Sequence, residues 1–289
     1  MIRSLCVIGV GLIGGSLAHS LRRVQYCQEI VGCGRNRQNL ERALALGVID
    51  RFETDPAAAV RGCDMVVLAV PMGAMRSVLK RIAPALAPDA VVTDVGSAKQ
   101  DVIEALTEVV GEVPAWFVPG HPVAGTERSG VDASFATLFD ERSVILTPVS
   151  HTDPVAVQRV HDMWESAGAY VTTMDMARHD AVLAATSHLP HVLAYGLVDT
   201  LARMSQSDDI FAFAAGGFRD FTRIASSDIE MWRDICLANR EAIVSVLDHY
   251  LDDLHRLREA IHDGDAAWLQ EVFGRAKAAR DRRYSGGTE

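Results

Sequence analysis

The sequence predicts an α/β domain followed by an all-α domain: a doubly wound parallel sheet, then helices. Three observations carry that expectation. Short, continuously apolar runs alternate with helical patterns through the first part of the chain, a glycine-rich turn follows the first run, and strand signals cease after about Met174. Continuously apolar strands between helices indicate a parallel sheet covered on both faces, because each strand must then be dry on both sides. The expected boundary separates residues 1–175 from residues 176–289.

The expected strands are Ser4–Gly9, Ile30–Gly34, Met65–Val70, Ala90–Asp94, Trp116–Pro119 and Ser143–Thr147. Between them lie helical patterns at Leu12–Arg23, Arg37–Leu46, Met75–Leu86 and Lys99–Val110, after which Asp153–Ala167 reads as one more helix and Ala169–Thr173 as one more strand. Long helices are then expected at Ala177–Met204, Asp228–His262 and Asp265–Arg282. In the second of these, Ile243, Leu247, Leu251, Leu254, Leu257 and Ile261 recur at three- and four-residue steps, an apolar stripe that fits either a core or a subunit interface. The tail Tyr284–Glu289 reads as disordered.

Composition narrows the function classes. The 289 residues are enough for about two domains at ~150 residues each. With 28 basic and 38 acidic side chains the net charge is −10, which disfavours wholesale binding to nucleic acid or anionic membranes. Cys6, Cys27, Cys33, Cys63 and Cys236 are odd in number and lack a C-x-x-C pair, which argues against a disulfide framework or a cysteine zinc site and fits a reducing cytoplasm. The run Leu5–Leu17 behind Arg3 has the length of a signal peptide but is broken by Gly9, Gly11, Gly14 and Gly15. No uninterrupted apolar stretch approaches the ~18 residues of a spanning helix, so a soluble, cytoplasmic protein is expected.

The first strand runs into Gly9-Val10-Gly11-Leu12-Ile13-Gly14, then Gly15-Ser16 and a helix. In a G-x-G-x-x-G turn the first glycine permits the tight turn and the second lets backbone approach a pyrophosphate. The third lets helix and strand pack closely, while the helix N-terminus offers free N–H groups. The strand–turn–helix context favours a dinucleotide over a plain tight turn or a methyltransferase loop. The expected cofactor contacts are Gly9, Gly11, Leu12, Ile13 and Gly14, with Val70 and Pro71 at the end of the third expected strand. The second strand ends Gly32-Cys33-Gly34-Arg35-Asn36-Arg37, with no carboxylate for the ribose hydroxyls. Gly34 leaves room, and Arg35 and Arg37 suit a 2′-phosphate, so NADP is favoured. If instead Asn36 or backbone holds the ribose, NAD remains acceptable.

Ligands of open α/β sheets bind beyond the carboxyl ends of the strands. Asp94-Val95-Gly96-Ser97-Ala98-Lys99 follows one strand and Gly120-His121-Pro122 through Gly130 follows the next, so His121 is expected on a loop facing the nicotinamide crevice. Imidazole suits the proton of an oxidised hydroxyl near neutral pH. Ser97 is placed to orient that hydroxyl or His121, and a serine before a helix is also a good N-cap. Ser187-His188-Leu189-Pro190-His191 sets two histidines on one helix face near a proline kink. That spacing permits a metal pair, but no nearby Cys, Asp or Glu completes a ligand set, so no metal is expected. In Gly216–Ala225, Arg219 and Arg223 are candidates for bidentate carboxylate binding, one of them, more readily Arg219 beside Asp220, being a structural ion pair instead.

Together GVGLIGGS (Gly9–Ser16), DVGSAK (Asp94–Lys99), GHPVAGTERSG (Gly120–Gly130), SHLPH (Ser187–His191) and GGFRDFTRIASSDIEMWRDI (Gly216–Ile235) resemble the prephenate/arogenate (cyclohexadienyl) dehydrogenases of tyrosine biosynthesis over nearly the whole chain. The resemblance implies a Rossmann-type domain followed by a helical domain that dimerises, and oxidative decarboxylation of prephenate, arogenate or both with hydride transfer to NADP or NAD. It implies that His121 takes the proton of the ring hydroxyl with Ser97 in support. Arg223 would bind a substrate carboxylate, His188 and His191 would line the pocket, and Glu127 would border or gate it. Another two-domain hydroxyacid dehydrogenase, or a non-catalytic nicotinamide sensor, would share the glycine turn and helical half. The first would not explain the histidine loop together with GGFRDFTRIA, and the intact set His121, Ser97 and Arg223 argues against the second, since a sensor has no need of a proton acceptor.

Overall fold

The computed structural model describes residues 2–284, in two compact units, residues 2–240 and residues 241–284. The first begins with β1 (Ile2–Ile8), α1 (Leu12–Arg23), β2 (Cys27–Cys33), α2 (Arg37–Ala45), β3 (Arg51–Glu53), α3 (Pro56–Ala59), β4 (Met65–Leu68), α4 (Met75–Ile82), β5 (Val91–Asp94), α5 (Lys99–Val110) and β6 (Phe117–Val118). These six strands form one all-parallel sheet in the order β3-β2-β1-β4-β5-β6. The strand order reverses between β1 and β4, so the Gly9–Gly14 turn lies at the switch point where such sheets bind ligands.

Side chains alternate across the strands. In β1, Leu5 and Val7 enter one core with Leu17, Leu21, Met65, Val67 and Trp164, while Cys6 and Ile8 enter the other with Val66, Leu68, Leu79, Val102 and Leu106. Period-two alternation into two dry layers is why the strands read as uninterrupted apolar runs. β1 is thus an inner strand of this sheet, with β2 on one side and β4 on the other. The expected helix Met75–Leu86 stops at Ile82 and tightens into a 3₁₀ turn over Ala83–Ala85, where Pro84 has no N–H for the α ladder.

The chain then leaves the parallel sheet. Pro119 has no N–H to extend β6, and the chain re-pairs as β7 (Gly120–Pro122), antiparallel to β8 (Ser143–Leu146). After α6 (Pro154–Ser166), β9 (Tyr170–Thr173) pairs parallel with β8. Two expectations are corrected here. Ser143–Thr147 and Ala169–Thr173 belong to a separate three-stranded mixed sheet, and His121 sits in a short strand rather than a loop, opposite Ile145. The short strand β3 was not expected, because three residues are too few to show a period.

The helical portion of this unit comprises α7 (Met176–Leu183), a π-helical turn (Ala184–His188), α8 (Leu189–Ala202), α9 (Ser207–Ala212), α10 (Gly216–Thr222) and α11 (Ile229–Ala238). The π turn falls just before Pro190, which removes a donor from the ladder, so the expected kink takes this form. Met176–Ala202 is one 27-residue helical run whose most apolar window has a mean hydropathy of 1.3, long and apolar enough to cross a membrane by length and composition. The expectation concerned uninterrupted apolar stretches, and this run is not one. The run escapes a search for uninterrupted apolarity because His179, Asp180, His188 and His191 interrupt it, and these residues build the site described below.

The expected helix Asp228–His262 divides at Asn239, giving α11 and then α12 (Arg240–Asp263). The second unit holds α12 from Glu241 onward and α13 (Ala266–Tyr284), with Gly264 between them at a φ of +69° that suits glycine. Along α12, Leu251, Leu254 and Ile261 are exposed within the chain. Tyr284 closes α13, and the rest of the tail read as disordered lies outside the described residues.

Candidate active site

The glycine turn has the shape its motif requires. Gly9 adopts φ +101°, and a Cβ there would lie 2.0 Å from the Ala69 carbonyl oxygen; at Gly14 a Cβ would lie 2.2 Å from Gly9 O and 2.8 Å from Val7 Cγ1. These two glycines let β1, α1 and the end of β4 close on one another. Gly11 differs: a Cβ there would meet nothing within 4 Å, so it faces open space at the start of α1. α1 has no side-chain cap, and the Gly15 N–H to Gly11 O bond opens its ladder, leaving the Leu12, Ile13 and Gly14 amides ahead of it. An uncapped helix N-terminus behind an open cradle fits a dinucleotide pyrophosphate. Val70 and Pro71 follow β4 on the other side of the switch point, Val70 half-buried and Pro71 exposed.

At the end of β2 the three candidate side chains differ. Asn36 caps α2, its Oδ1 accepting from Asn39 N–H at 3.1 Å. Arg37 donates to Glu41 at 2.9 Å and lies 5.3 Å over the Phe52 ring. Arg35 is exposed beside Gly34, where a Cβ would meet only Leu40, at 3.6 Å or more.

The carboxyl edge of the sheet carries a buried polar chain. Asp94 ends β5, accepting from Gly96 N–H at 2.7 Å and Gly120 N–H at 3.2 Å. The fully buried Lys99 ammonium donates to Asp94 and, at 2.7 Å, to the Gly120 carbonyl, so the residue before His121 is held from both of its peptide groups. His121 itself is buried, and its Nδ1 lies 2.9 Å from His179 Nε2. His179 Nδ1 in turn lies 2.7 Å from Asp180 Oδ1.

Asp180 also accepts from the Lys99 and Gln100 backbone N–H groups, both at 2.9 Å, and so caps α5 from a distant helix. Ser97 does not supply that cap; it is half-buried ahead of α5 with no side-chain hydrogen bond among the described residues. Asn239, at the break between α11 and α12, donates to Asp180 O at 2.8 Å and lies 3.1 Å from His188 Nδ1. His188 and His191 both lie against Trp232, His191 stacked at 3.6 Å and His188 edge-on at 6.1 Å. His188 Nε2 is buried without a partner among the described residues.

These surroundings disfavour the charged forms of His121, His188 and His191. Burial, reinforced by Lys99, His179 and His188, pushes His121 well below the ordinary imidazole range. Burial likewise takes His188 down to about 4, against the opposing pull of Asp180. His191 is lowered by burial although the Ser187 carbonyl favours its protonated form. For Asp180 burial acts upward, but the His179 hydrogen bond and the two α5 amides outweigh it and hold the carboxyl below its usual value.

Glu127 and Arg223 form an ion pair with each other. Arg219 makes no ion pair with Asp220 among the described residues. The residues missed by sequence reasoning are His179, Asp180, Asn239, Lys99 and Trp232. A histidine–aspartate step, with both residues buried, in the helix Met176–Leu183 was the available signal for the first two.

A doubly wound sheet, a glycine turn with an open helix terminus at its switch point, and a buried neutral imidazole at its carboxyl edge define a nicotinamide-dependent dehydrogenase with a helical second part. The chain belongs to the prephenate dehydrogenase family. Residues 17–173 match the profile of the prephenate dehydrogenase nucleotide-binding domain, and residues 175–275 that of the prephenate dehydrogenase dimerization domain. It is 41% identical over 283 residues to the cyclohexadienyl dehydrogenase of Zymomonas mobilis, covering 96% of this chain and 95% of that one. The crystal structure of prephenate dehydrogenase from Aquifex aeolicus in complex with hydroxyphenyl propionate and NAD+ superimposes with a TM-score of 0.90 at 38% identity, covering 98% of each chain. Synechocystis arogenate dehydrogenase superimposes with a TM-score of 0.80 at 28% identity, covering 97% of this chain and 99% of that one.

Proposed function

We propose that the protein oxidatively decarboxylates prephenate to 4-hydroxyphenylpyruvate, arogenate to tyrosine, or both, with His121 as the base. The observation that carries this reading is the buried His121, backed by His179 and Asp180, at the sheet edge where β5 ends. The Gly9–Gly14 turn would hold NAD(P), which when bound would supply the hydride acceptor for the carbinol carbon. His121 takes the hydroxyl proton as that carbon is oxidised. The ring carboxylate leaves as carbon dioxide, its bonding electrons aromatise the ring, and His121 returns the proton to the phenol oxygen, so no proton is gained or lost. Ser97 orients the hydroxyl, and the unpartnered Nε2 of His188, with His191 on Trp232, lines the pocket.

Arg223 binds a substrate carboxylate in exchange for Glu127, which borders the entrance. Arg223→Ala is expected to raise KM roughly 10–100-fold, the scale of a charged hydrogen bond, with a smaller change in kcat. Steady-state kinetics check this, and an unchanged KM removes Arg223 from substrate binding.

Arg35, exposed beside Gly34, supports a preference for NADP. Arg35→Ala is expected to cut the NADP-to-NAD ratio of kcat/KM roughly 10–100-fold. The defining experiment is prephenate-dependent cofactor reduction, followed by absorbance with NADP and NAD side by side. Faster reduction with NADP is expected, and equal or faster reduction with NAD would overturn the 2′-phosphate reading alone. Reduction only with arogenate would fix the substrate. Failure with both substrates and both cofactors would overturn the activity.

The division near residue 175 is supported by strand signals that end at Thr173. A homodimer is supported by the exposed Leu251, Leu254 and Ile261 stripe of α12. Five unpaired thiols support a cytoplasmic location.

A further inference from the structure

The hydrogen-bond chain behind His121 has a direction. Asp180 Oδ1 accepts from Lys99 N–H and lies 2.7 Å from His179 Nδ1, and Oδ2 accepts from Gln100 N–H. A carboxylate only accepts, so the proton between Asp180 and His179 sits on His179 Nδ1. With its other nitrogen bare, His179 offers a lone pair at Nε2, and the 2.9 Å contact then pairs it with a proton on His121 Nδ1. The reverse arrangement, with a proton on His179 Nε2 donating to His121 Nδ1, would put the His121 proton on its other ring nitrogen and leave no acceptor for the substrate hydroxyl. The groups facing His121 are Lys99 from α5, His179 and Asp180 from α7, and His188 from the π turn.

We infer that His179 is a positioning residue that, anchored by Asp180, fixes His121 in the Nδ1–H tautomer and so presents its bare Nε2 as the atom that takes the substrate proton. This rests on the reading of His121 as the base. Without the acceptor at His179 the imidazole would be free to carry its proton on Nε2, where it cannot act as a base. The same anchor joins the histidine pair to the first turn of α5, so one carboxylate sets both the helix start and the ring orientation.

The test combines nitrogen-15 spectra of histidine-labelled protein with kinetics. The His121 signals, identified by their loss in His121→Asn, are expected to show a protonated Nδ1 and a bare Nε2 at neutral pH. His179→Leu is expected to shift that tautomer and lower kcat by roughly 10²–10⁴-fold, with KM nearly unchanged. His179→Gln, whose amide oxygen can accept at the Nε2 position, is expected to restore kcat to within roughly tenfold of the original protein, the scale of one neutral hydrogen bond. An Nε2–H tautomer in the unmodified protein overturns the inference, as does a His179→Leu variant with tautomer and kcat unchanged. The spectrum of the unmodified protein decides the matter even if His179→Leu fails to fold. Retention of turnover in His121→Asn would sink the base assignment instead, and the tautomer would still be read.

Discussion

His121→Asn is expected to lower kcat by roughly 10²–10⁴-fold while KM changes little, because it removes the proton acceptor but little of the substrate contact. Asparagine is the informative replacement. Its amide nitrogen can stand near the position of Nδ1 and still donate to His179, so the buried network keeps its partner and the loss reports chemistry. Steady-state kinetics at saturating cofactor measure it, and near-normal turnover would exclude His121 from the mechanism.

The pH profile of the unmodified enzyme carries the same argument. The neutral imidazole is the active form, and burial, followed by Lys99, His179 and His188, depresses its pKa. The acidic limb of kcat/KM, which reports groups of the free enzyme, is therefore expected below the ordinary histidine value of about 6.5. The sign for stability follows from the same depression. Below pH ~6.5 the unfolded chain binds protons that the folded His121 and His188 refuse, so stability falls as pH falls through that range.

Gly9→Ala is the second large effect, and it acts on folding as well as on cofactor binding. The new Cβ would sit 2.0 Å from Ala69 O and 2.6 Å from Ala69 C. That carbonyl is backbone, and its own residue is held to β1 by the 2.7 Å Ala69 N–H to Ile8 O bond, so it cannot swing aside cheaply. The φ of +101° adds strain of its own. Backbone strain and overpacking together are expected to cost roughly 2–5 kcal/mol, a Tm drop on the order of 10 °C, with cofactor binding lost. Thermal unfolding with and without cofactor measures both, and a Tm unchanged to within about a degree would contradict the geometry. Gly11→Ala is the matched control. Its Cβ meets nothing, so the free protein should keep its Tm while cofactor affinity falls.

Several features were legible because they are local. Leu12–Arg23 and Lys99–Val110 carry a helical period within one element, and the observed bounds coincide with it. Gly9 and Gly14 announce a close approach of backbones because only glycine removes the Cβ. The histidine loop and the Gly216–Ile235 motif point to the family by residue order alone. By contrast, β8 and β9 look like further strands of the parallel sheet, because an apolar run does not record which neighbour it pairs with. The break at Asn239 was hidden for a related reason: its side chain is spent on Asp180 and His188, more than fifty residues earlier.

The sequence by itself determined the class of fold, the nucleotide turn and the family, since each is written in short-range pattern and residue type. Only the tertiary structure decided which groups answer one another. It joins His121 to His179, places Asp180 on the first turn of α5, ties Lys99 to Asp94 and Gly120, and pairs Arg223 with Glu127. All but one of those pairings, the Lys99–Asp94 contact, bridge segments remote in the chain that meet only because the sheet order and the packing of α7 against α5 bring them together. Helical and strand periodicity fix the direction of a side chain within its own element and carry no information about the element it will face.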